Sequence, residues 1–412
     1  MEIKIKLLQN LEKLETNLES ILNKPNLKID TEYSDIAKFK EKIYSKYSQA
    51  NPEHVVKSQI NDEFFEQNGI KYLIKYLKID KTKNKPVLIN QKHFTDPFAP
   101  PIMDDVLVSE NFFGLNEHRL ILTKFPLFKE QLLLVSREFK SQYEHLSFEN
   151  MRDTILLINS IEGCAFFNGG EKSGASQPRK HLQAFPYKSF PNKDKNFGIF
   201  NFIKDTNNLE ELIFWNNLNK INEIGKFYEI KIFKEENVEH ILFKFNPKMI
   251  ELLKDNTKAN ITGEICLYLY EIMSEYLGLF DYEKENDGKR SDKIFKDFSF
   301  LINQEFMLLV KRKEHDIFIN EKYKEKNEII NLNSIAFFFV IVLRSPEQIE
   351  DLKKSNQSIK DDLQKKINFT ENKITTFINS YNKDKTNIKN EIYNLDNMIK
   401  KISDSKNSIN KI

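Results

Sequence analysis

Two short apolar runs, CAFFN (Cys164–Asn168) and HLQAFPY (His181–Tyr187), enclose a stretch that neither helix nor strand can absorb: GGEKSGASQPRK. Four of the eleven glycines in the chain fall between Gly163 and Gly174. Apolar runs of this length bounded by Gly and Pro read as strands, so the chain must fold around a strand, a glycine loop and a returning strand. Upstream, HRLILTK (His118–Lys124) and QLLLVS (Gln131–Ser136) read as two adjacent strands separated by FPLFKE. LSFENMRDTILLINSI (Leu146–Ile161) reads as a helix with Ser147 as its N-cap. The order strand, strand, helix, strand, loop, strand predicts an α+β body with a largely antiparallel sheet.

The second half repeats the mixture. FYEIKIF (Phe227–Phe233) and EHILFKF (Glu239–Phe245) read as strands, NITGEICLYLYEIMSEYLGL (Asn260–Leu279) as a helix, and FKDFSFLI (Phe295–Ile302) with EFMLLVKR (Glu305–Arg312) as a strand pair. The charged stretch Glu314–Asn331 reads as a loop insertion. Leu7, Leu11, Leu14, Leu18 and Ile21 form one stripe of an N-terminal helix that Pro25 stops, and a second helix is expected from about Asp35 to Tyr47. Ile367, Ile374, Tyr381, Ile388, Leu395, Ile402 and Ile409 recur every seven residues, with Ile378, Ile392 and Ile399 in the companion seam. That pattern predicts a coiled coil; a single amphipathic helix on the body and a pairing with the N-terminal helix are the alternatives. The expected organisation is an N-terminal helical segment over 1–50, a body over 51–355 and a heptad-bearing helix over 356–412.

With 63 basic and 61 acidic residues the net charge is +2, which argues against a nucleic-acid-coating role but leaves room for a local basic pocket. No apolar run approaches the roughly 20 residues of a membrane helix, and the N-terminus has no signal-peptide core, so a soluble cytoplasmic protein without membrane contact is expected. Two distant cysteines, Cys164 and Cys266, read as buried thiols rather than as a disulfide framework or a zinc site. Seven arginines stand against 56 lysines, which makes Arg179 conspicuous.

Gly169 and Gly174 have the spacing of a P-loop, yet Ala175 and Ser176 follow where a Lys is required, and the loop leads into a strand instead of a helix. What remains is a run of small residues whose backbone can approach phosphate oxygens closely. Alternation along the exit strand puts Arg179, His181 and Gln183 on one face and turns Lys180 and Leu182 to the other. A cation, an imidazole and an amide facing one point suit attack on a phosphoryl group, with the amide bonding the transferred phosphate. The residues alone leave a second reading open, a structural turn beside a histidine satisfied by its neighbours.

FFNGGEKSGASQPRKHLQ resembles the signature of the diadenosine tetraphosphate phosphorylases, or ATP adenylyltransferases, in the galactose-1-phosphate uridylyltransferase-like branch of the histidine-triad superfamily. Asn168, Gly170, Ser173, Gly174, Ala175, Ser176, Gln177, Pro178, Lys180, His181, Leu182 and Gln183 carry the match. DPFAPP (Asp96–Pro101), LTKFPLFKEQLLLVSREF, FSFLINQEFMLLVKR and RSPEQIEDLKK extend it over about residues 90 to 355.

The resemblance implies a body of two related histidine-triad-like halves, of which only the first carries the reactive His. It further implies phosphorolysis of diadenosine tetraphosphate to ADP and ATP, reversibly, through an adenylyl-histidine. His181 would be the nucleophile and Gln183 its phosphoryl partner, where a hydrolase of the superfamily has a third His. Asn168, Ser173 and the run Gly174, Ala175, Ser176 and Gln177 would hold phosphates. Lys124 would supply a cation for the polyphosphate, and Met307 and Lys311 would be substrate contacts from the second half. Arg179, where the family has a His, could add a grip on phosphate or equally disfavour a protonated imidazole. A lysine between Lys81 and Lys85 would be one more phosphate contact. The partners implied are small nucleotides and phosphate, with Mg2+ accompanying the polyphosphate and no other cofactor. The heptads would serve self-association or a partner.

The chain departs from the family pattern at four places. Arg179 stands for a His, Thr123 for an Asn, Ser299 for an Asn and Lys311 for a Pro. Arg179 motivates an alternative, a catalytically weak nucleotide-binding protein with an interaction tail. A further alternative is phosphorolysis of another nucleotide diphosphate conjugate, such as a nucleotide sugar. The remaining histidines form no metal-binding spacing and are expected in surface or structural roles, and the acid pair Asp104–Asp105 is the one further place for a metal contact.

Overall fold

The computed structural model describes residues 17, 19–56, 61–67, 70–76, 96–190, 228–231, 239–281, 294–313, 316–317, 330–331, 334–338, 340–343 and a few positions between 347 and 354. In chain order its elements begin with α1 (Thr31–Ser34) and α2 (Ile36–Gln49), each capped by an aspartate, Asp30 and Asp35, whose carboxylate accepts a backbone N–H of the first turn. The strand pair β1 (Asn61–Gln67) and β2 (Ile70–Tyr76) follows, then β3 (Leu107–Ser109), β4 (His118–Leu122) and β5 (Leu132–Ser136). Next come α3 (Phe148–Ile161), β6 (Gly163–Gly169) and β7 (His181–Pro186). The second half supplies β8 (Tyr228–Lys231), β9 (His240–Phe245), α4 (Pro247–Lys254), α5 (Ala259–Tyr276), β10 (Phe280–Asp281), β11 (Ile294–Phe295), β12 (Phe298–Ile302) and β13 (Phe306–Lys311). The short β14 (Asp316–Ile317) and β15 (Ile330–Asn331) pair with each other inside the expected insertion, and β16 (Val340–Leu343) closes the list.

Among the described residues, nine strands form one sheet in the order β3-β4-β5-β7-β6-β12-β13-β9-β8, every pair antiparallel. The expected antiparallel α+β body is therefore what forms. Reading inward from either edge, β4-β5-β7-β6 and β8-β9-β13-β12 follow one plan, in which two strands, a helical crossover and two more strands are laid down in the same order. The halves join where β6 pairs with β12, Phe166 opposite Leu301.

Period-two alternation gives each strand two faces. Leu120, Leu134, Leu182, Phe167, Phe243, Phe300 and Leu309 turn to one side, where α3 and α5 bury them in the main core. Helix α3 is almost wholly buried and starts with a capping box, Ser147 accepting from the Asn150 N–H while the Asn150 side chain returns to the Ser147 N–H, as its sequence predicts. Of the opposite face, Phe166, Phe185, Leu242, Leu301, Leu308 and Val310 pack with Leu73 and Val340 of the small sheet β1-β2-β16. Ile121, Leu133 and Val135 lie on that face too, but Phe98 and Ile102 of the proline-rich loop cover them instead.

Two corrections to the expected organisation follow. Tyr33, Phe39 and Ile43 are part of the main core, so the first 50 residues do not stand apart from the body; the compact unit runs Met1–Pro346. Glu347–Ile412 forms a second unit, in place of a boundary at 355, and the heptad positions Ile367–Ile409 lie outside the described residues. Residues 81–85 lie outside them as well. Both cysteines are free and buried. Among the described residues no helix is long and apolar enough to cross a membrane.

Candidate active site

His181 opens β7 on the face opposite the helices and is 4% exposed. Its Nδ1 lies 2.9 Å from the Arg179 carbonyl oxygen, which can only accept, so Nδ1 carries the hydrogen and Nε2 keeps its lone pair. The Phe98 ring packs against the imidazole at 5.1 Å between centroids. Burial pushes the imidazole below its ordinary range, against the Arg179 carbonyl and the Asp96 charge, which favour protonation. The side chain is thus a neutral, oriented imidazole presenting one nucleophilic nitrogen.

Two residues on, Gln183 shares that face and is half-buried. Its Oε1 accepts from Gln131 Nε2 at 2.9 Å, which leaves its NH2 to face the site. Asn168 at the end of β6 is held likewise, because its Oδ1 accepts from the Ser334 backbone N–H at 2.9 Å. Both carboxamides are therefore fixed with their oxygens spent on protein donors. Two NH2 groups facing one region make it a receptor for an anion. Ser299 pairs with Asn168 across β6 and β12, and its buried hydroxyl has no partner among the described residues.

Gln142 explains how β6 and β7 part to admit the glycine loop. It is completely buried; its Nε2 donates to the Asn168 and His181 carbonyls, and its Oε1 accepts the His181 N–H at 2.8 Å. One side chain thus takes over the ladder bonds that the diverging strands would otherwise lose. Sequence reasoning passed over it, since a single Gln in a loop has no periodic signal.

The glycine loop itself differs from the expected cradle. Gly170 and Gly174 take positive φ of 90° and 87°, and Glu171–Ser173 form a 3-10 turn between them. The N–H groups of Ser173 and Ala175 bond the Gly170 carbonyl, the Gly174 N–H bonds the Glu171 carbonyl, and the Ser173 hydroxyl closes onto the Gly170 carbonyl at 2.6 Å. Ser173, Gly174 and Ala175 therefore build the turn and have no backbone donor left for phosphate; Ser176 and Gln177 are not drawn into these bonds. The second half clamps the turn, with Asp297 accepting the Lys172 N–H and Arg312 donating to the Lys172 carbonyl. A Cβ on Gly170 would meet Asp297 Oδ1 at 2.4 Å.

Arg179 is the second departure from expectation. Its Nε donates to Asp96 Oδ2 at 2.7 Å, its Nη1 donates to the Ser136 and Arg137 carbonyls, and the guanidinium lies over Phe139. A guanidinium so engaged acts as a brace. It ties the Asp96–Phe98 turn to the end of β5 and so keeps Phe98 against His181. Lys180 turns away, as alternation requires; Glu144 and the His145 carbonyl hold its ammonium, and burial pushes it down to about 8.

Lys124 stands just past β4, beside Thr123, whose N–H donates to the Gln131 carbonyl, and its ammonium lies over the Phe125 ring. The two second-half residues fare differently. Met307 is completely buried on the helix-facing side, so it does not share the face of His181. Lys311 pairs with Glu239 at 2.6 Å, and it is the next residue, Arg312, that reaches the glycine loop. Of the other histidines, His118 is buried between Asp153 and Asn150, a structural role, and His54 bonds Asp105, so that carboxylate is already engaged. Among the described residues no group of three or more His, Cys, Asp or Glu side chains gathers to hold a metal.

A mixed α+β fold whose glycine-rich loop delivers a His-x-Gln pair onto an antiparallel sheet defines a histidine-triad-like domain. Residues 32–204 match the Ap4A phosphorylase N-terminal domain. The chain is 34% identical over 131 residues to diadenosine 5',5'''-P1,P4-tetraphosphate phosphorylase 2 of Saccharomyces cerevisiae, covering 29% of this chain and 38% of that protein. It is 30% identical over 97 residues to Protein APA1 of the same yeast, 21% of this chain and 30% of that protein. The matched stretches thus span well under half of those relatives. The fold is similar to the crystal structure of yeast Ap4A phosphorylase Apa2, at a TM-score of 0.53 and 18% identity, covering 78% of this chain and 95% of that one. The same enzyme in complex with AMP matches at a TM-score of 0.52 and 20% identity, over 77% and 91%.

Proposed function

We propose that the protein is an enzyme, a nucleotidyltransferase that cleaves diadenosine tetraphosphate with inorganic phosphate to give ADP and ATP, reversibly. The observation that carries this reading is the pair His181 and Gln183, with the Nε2 lone pair of one and the NH2 of the other turned to the same side of β7. In the first step Nε2 attacks an α-phosphorus of the dinucleotide. A P–N bond forms, the bond from that phosphorus to its bridging oxygen breaks, and ATP leaves. Positive charge develops on the ring and is relieved through the Nδ1–H donated to the Arg179 carbonyl. Gln183 and Asn168 donate to the phosphoryl oxygens, whose charge redistributes as phosphorus becomes five-coordinate. In the second step a phosphate oxygen attacks the adenylyl-histidine, the P–N bond breaks and ADP leaves.

The match of residues 32–204 to the Ap4A phosphorylase N-terminal domain supports this reading. Ser176, Gln177 and Lys124 are the further residues available to the polyphosphate. Magnesium, in this scheme, travels on the polyphosphate and not on a ligand set of the protein. We also assign the protein to the cytoplasm.

The direct test is the product profile from diadenosine tetraphosphate with and without phosphate. The reading requires consumption only when phosphate is present, with ADP and ATP in equal amounts. Cleavage by water alone, giving AMP and ATP, would make the protein a hydrolase.

A further inference from the structure

The NH2 of Gln183 faces the phosphoryl site only because something holds the amide the right way round. Leu127 and Phe128 direct their backbone N–H groups at one end of the Gln131 side chain, at 2.7 and 3.3 Å. A backbone N–H can only donate, so that end is the oxygen and the other end is the NH2. The Gln131 NH2 lies 2.9 Å from the Gln183 side chain; it too can only donate, so it meets the Gln183 oxygen. The Gln183 NH2 is thereby left for the site. The relay is rigid at its root. Gln131 is 2% exposed, its N–H donates to the Phe128 carbonyl and its own carbonyl accepts the Thr123 N–H.

We propose that Gln131 is a positioning residue, relaying the polarity of the 127–128 backbone to Gln183 so that a donor and not an acceptor meets the transferred phosphoryl. This rests on the function proposed above. Reversing the Gln183 amide would put a carbonyl oxygen against a phosphoryl oxygen, which replaces an attraction with a repulsion at the point where charge redistributes in the transition state.

Gln131→Glu separates this role from a merely structural one. A carboxylate still accepts from Leu127 and Phe128, so the turn keeps its anchor, but it cannot donate to Gln183 and would draw the NH2 toward itself. The expected result is a kcat lower by about 100-fold, the scale of losing one oriented donor, with KM changed by no more than roughly threefold and an unchanged thermal midpoint. The deficit should shrink toward acid pH, where a protonated Glu donates again. Gln131→His should restore most of the rate, because a neutral imidazole accepts at one nitrogen and donates at the other. A Gln131→Glu kcat within about twofold of wild type, at an unchanged thermal midpoint, would overturn the inference while leaving the phosphorolysis intact. Loss of rate and thermal midpoint together in both variants would overturn it in favour of a structural role. A wild-type protein without phosphorolysis would overturn the proposed function, and this inference with it.

Discussion

The two halves of the large sheet follow one strand order and end in different surfaces. On β7 the face away from the helices carries His181 and Gln183 ahead of Phe185, whereas on β13 the same face carries Phe306, Leu308 and Val310. What covers each face matches its chemistry. Among the described residues, Leu73 and Val340 of the β1-β2-β16 sheet pack over Leu242, Leu308 and Val310 of the second half and reach Phe166 and Phe185 of the first. The Phe98–Ile102 stretch lies over Ile121, Leu133 and Val135 at the end of the first. The difference teaches that one scaffold can be spent in two ways. The second half buries its face for stability and reaches across with Asp297 and Arg312 to fix the glycine loop; the first leaves two polar groups where a ligand can meet them.

The largest expected effect is on the Arg179 brace of the first half. Arg179→Met leaves Asp96 without its buried partner and frees Phe98 from His181. Removing one member of a buried pair costs about 3–5 kcal/mol, and about 3 is expected here because Asp96 keeps some contact with water. Chemical denaturation should show that loss together with a collapse of kcat; full activity at wild-type stability would remove Arg179 from the account. Leu308→Ala probes the sealed half. It should cost about 2–5 kcal/mol of stability, yet leave kcat and KM unchanged wherever the protein remains folded. A kinetic defect without destabilisation would mean that the second-half face is part of the site after all.

The smallest effect is on pH dependence. Burial depresses the His181 pKa, so the neutral nucleophile persists as pH falls through the ordinary imidazole range. The profile of kcat/KM should therefore keep its plateau below pH ~6.5 and fall only at lower pH. An acid limb at or above the ordinary imidazole value would contradict the buried, carbonyl-bound ring.

Much of this was legible in the sequence for physical reasons. Strand runs bounded by Gly and Pro, the Ser147 cap and the alternation through Arg179, Lys180, His181, Leu182 and Gln183 are local signals, and the structure bears out the opposed faces of His181 and Lys180. What failed depended on tertiary partners. Nothing local says that Arg179 meets Asp96, 83 residues earlier, or that the turn consumes its own N–H groups. Met307 was carried over by resemblance, although its alternation with Phe306 and Leu308 assigns it to the helix-facing core. Gln131 did leave a trace, as the polar member of the otherwise apolar stripe Gln131, Leu133, Val135. A Gln that interrupts such a stripe has a buried polar demand to satisfy, and here that demand is Gln183.

The central claim is that His181 takes the adenylyl group and hands it to phosphate. Intact-protein and peptide mass spectrometry after incubation with diadenosine tetraphosphate, without phosphate, tests it most directly. The account predicts an adenylyl adduct on His181, absent in His181→Ala and discharged as ADP when phosphate is added. An adduct on another residue, or full phosphate-dependent turnover by His181→Ala, would contradict it.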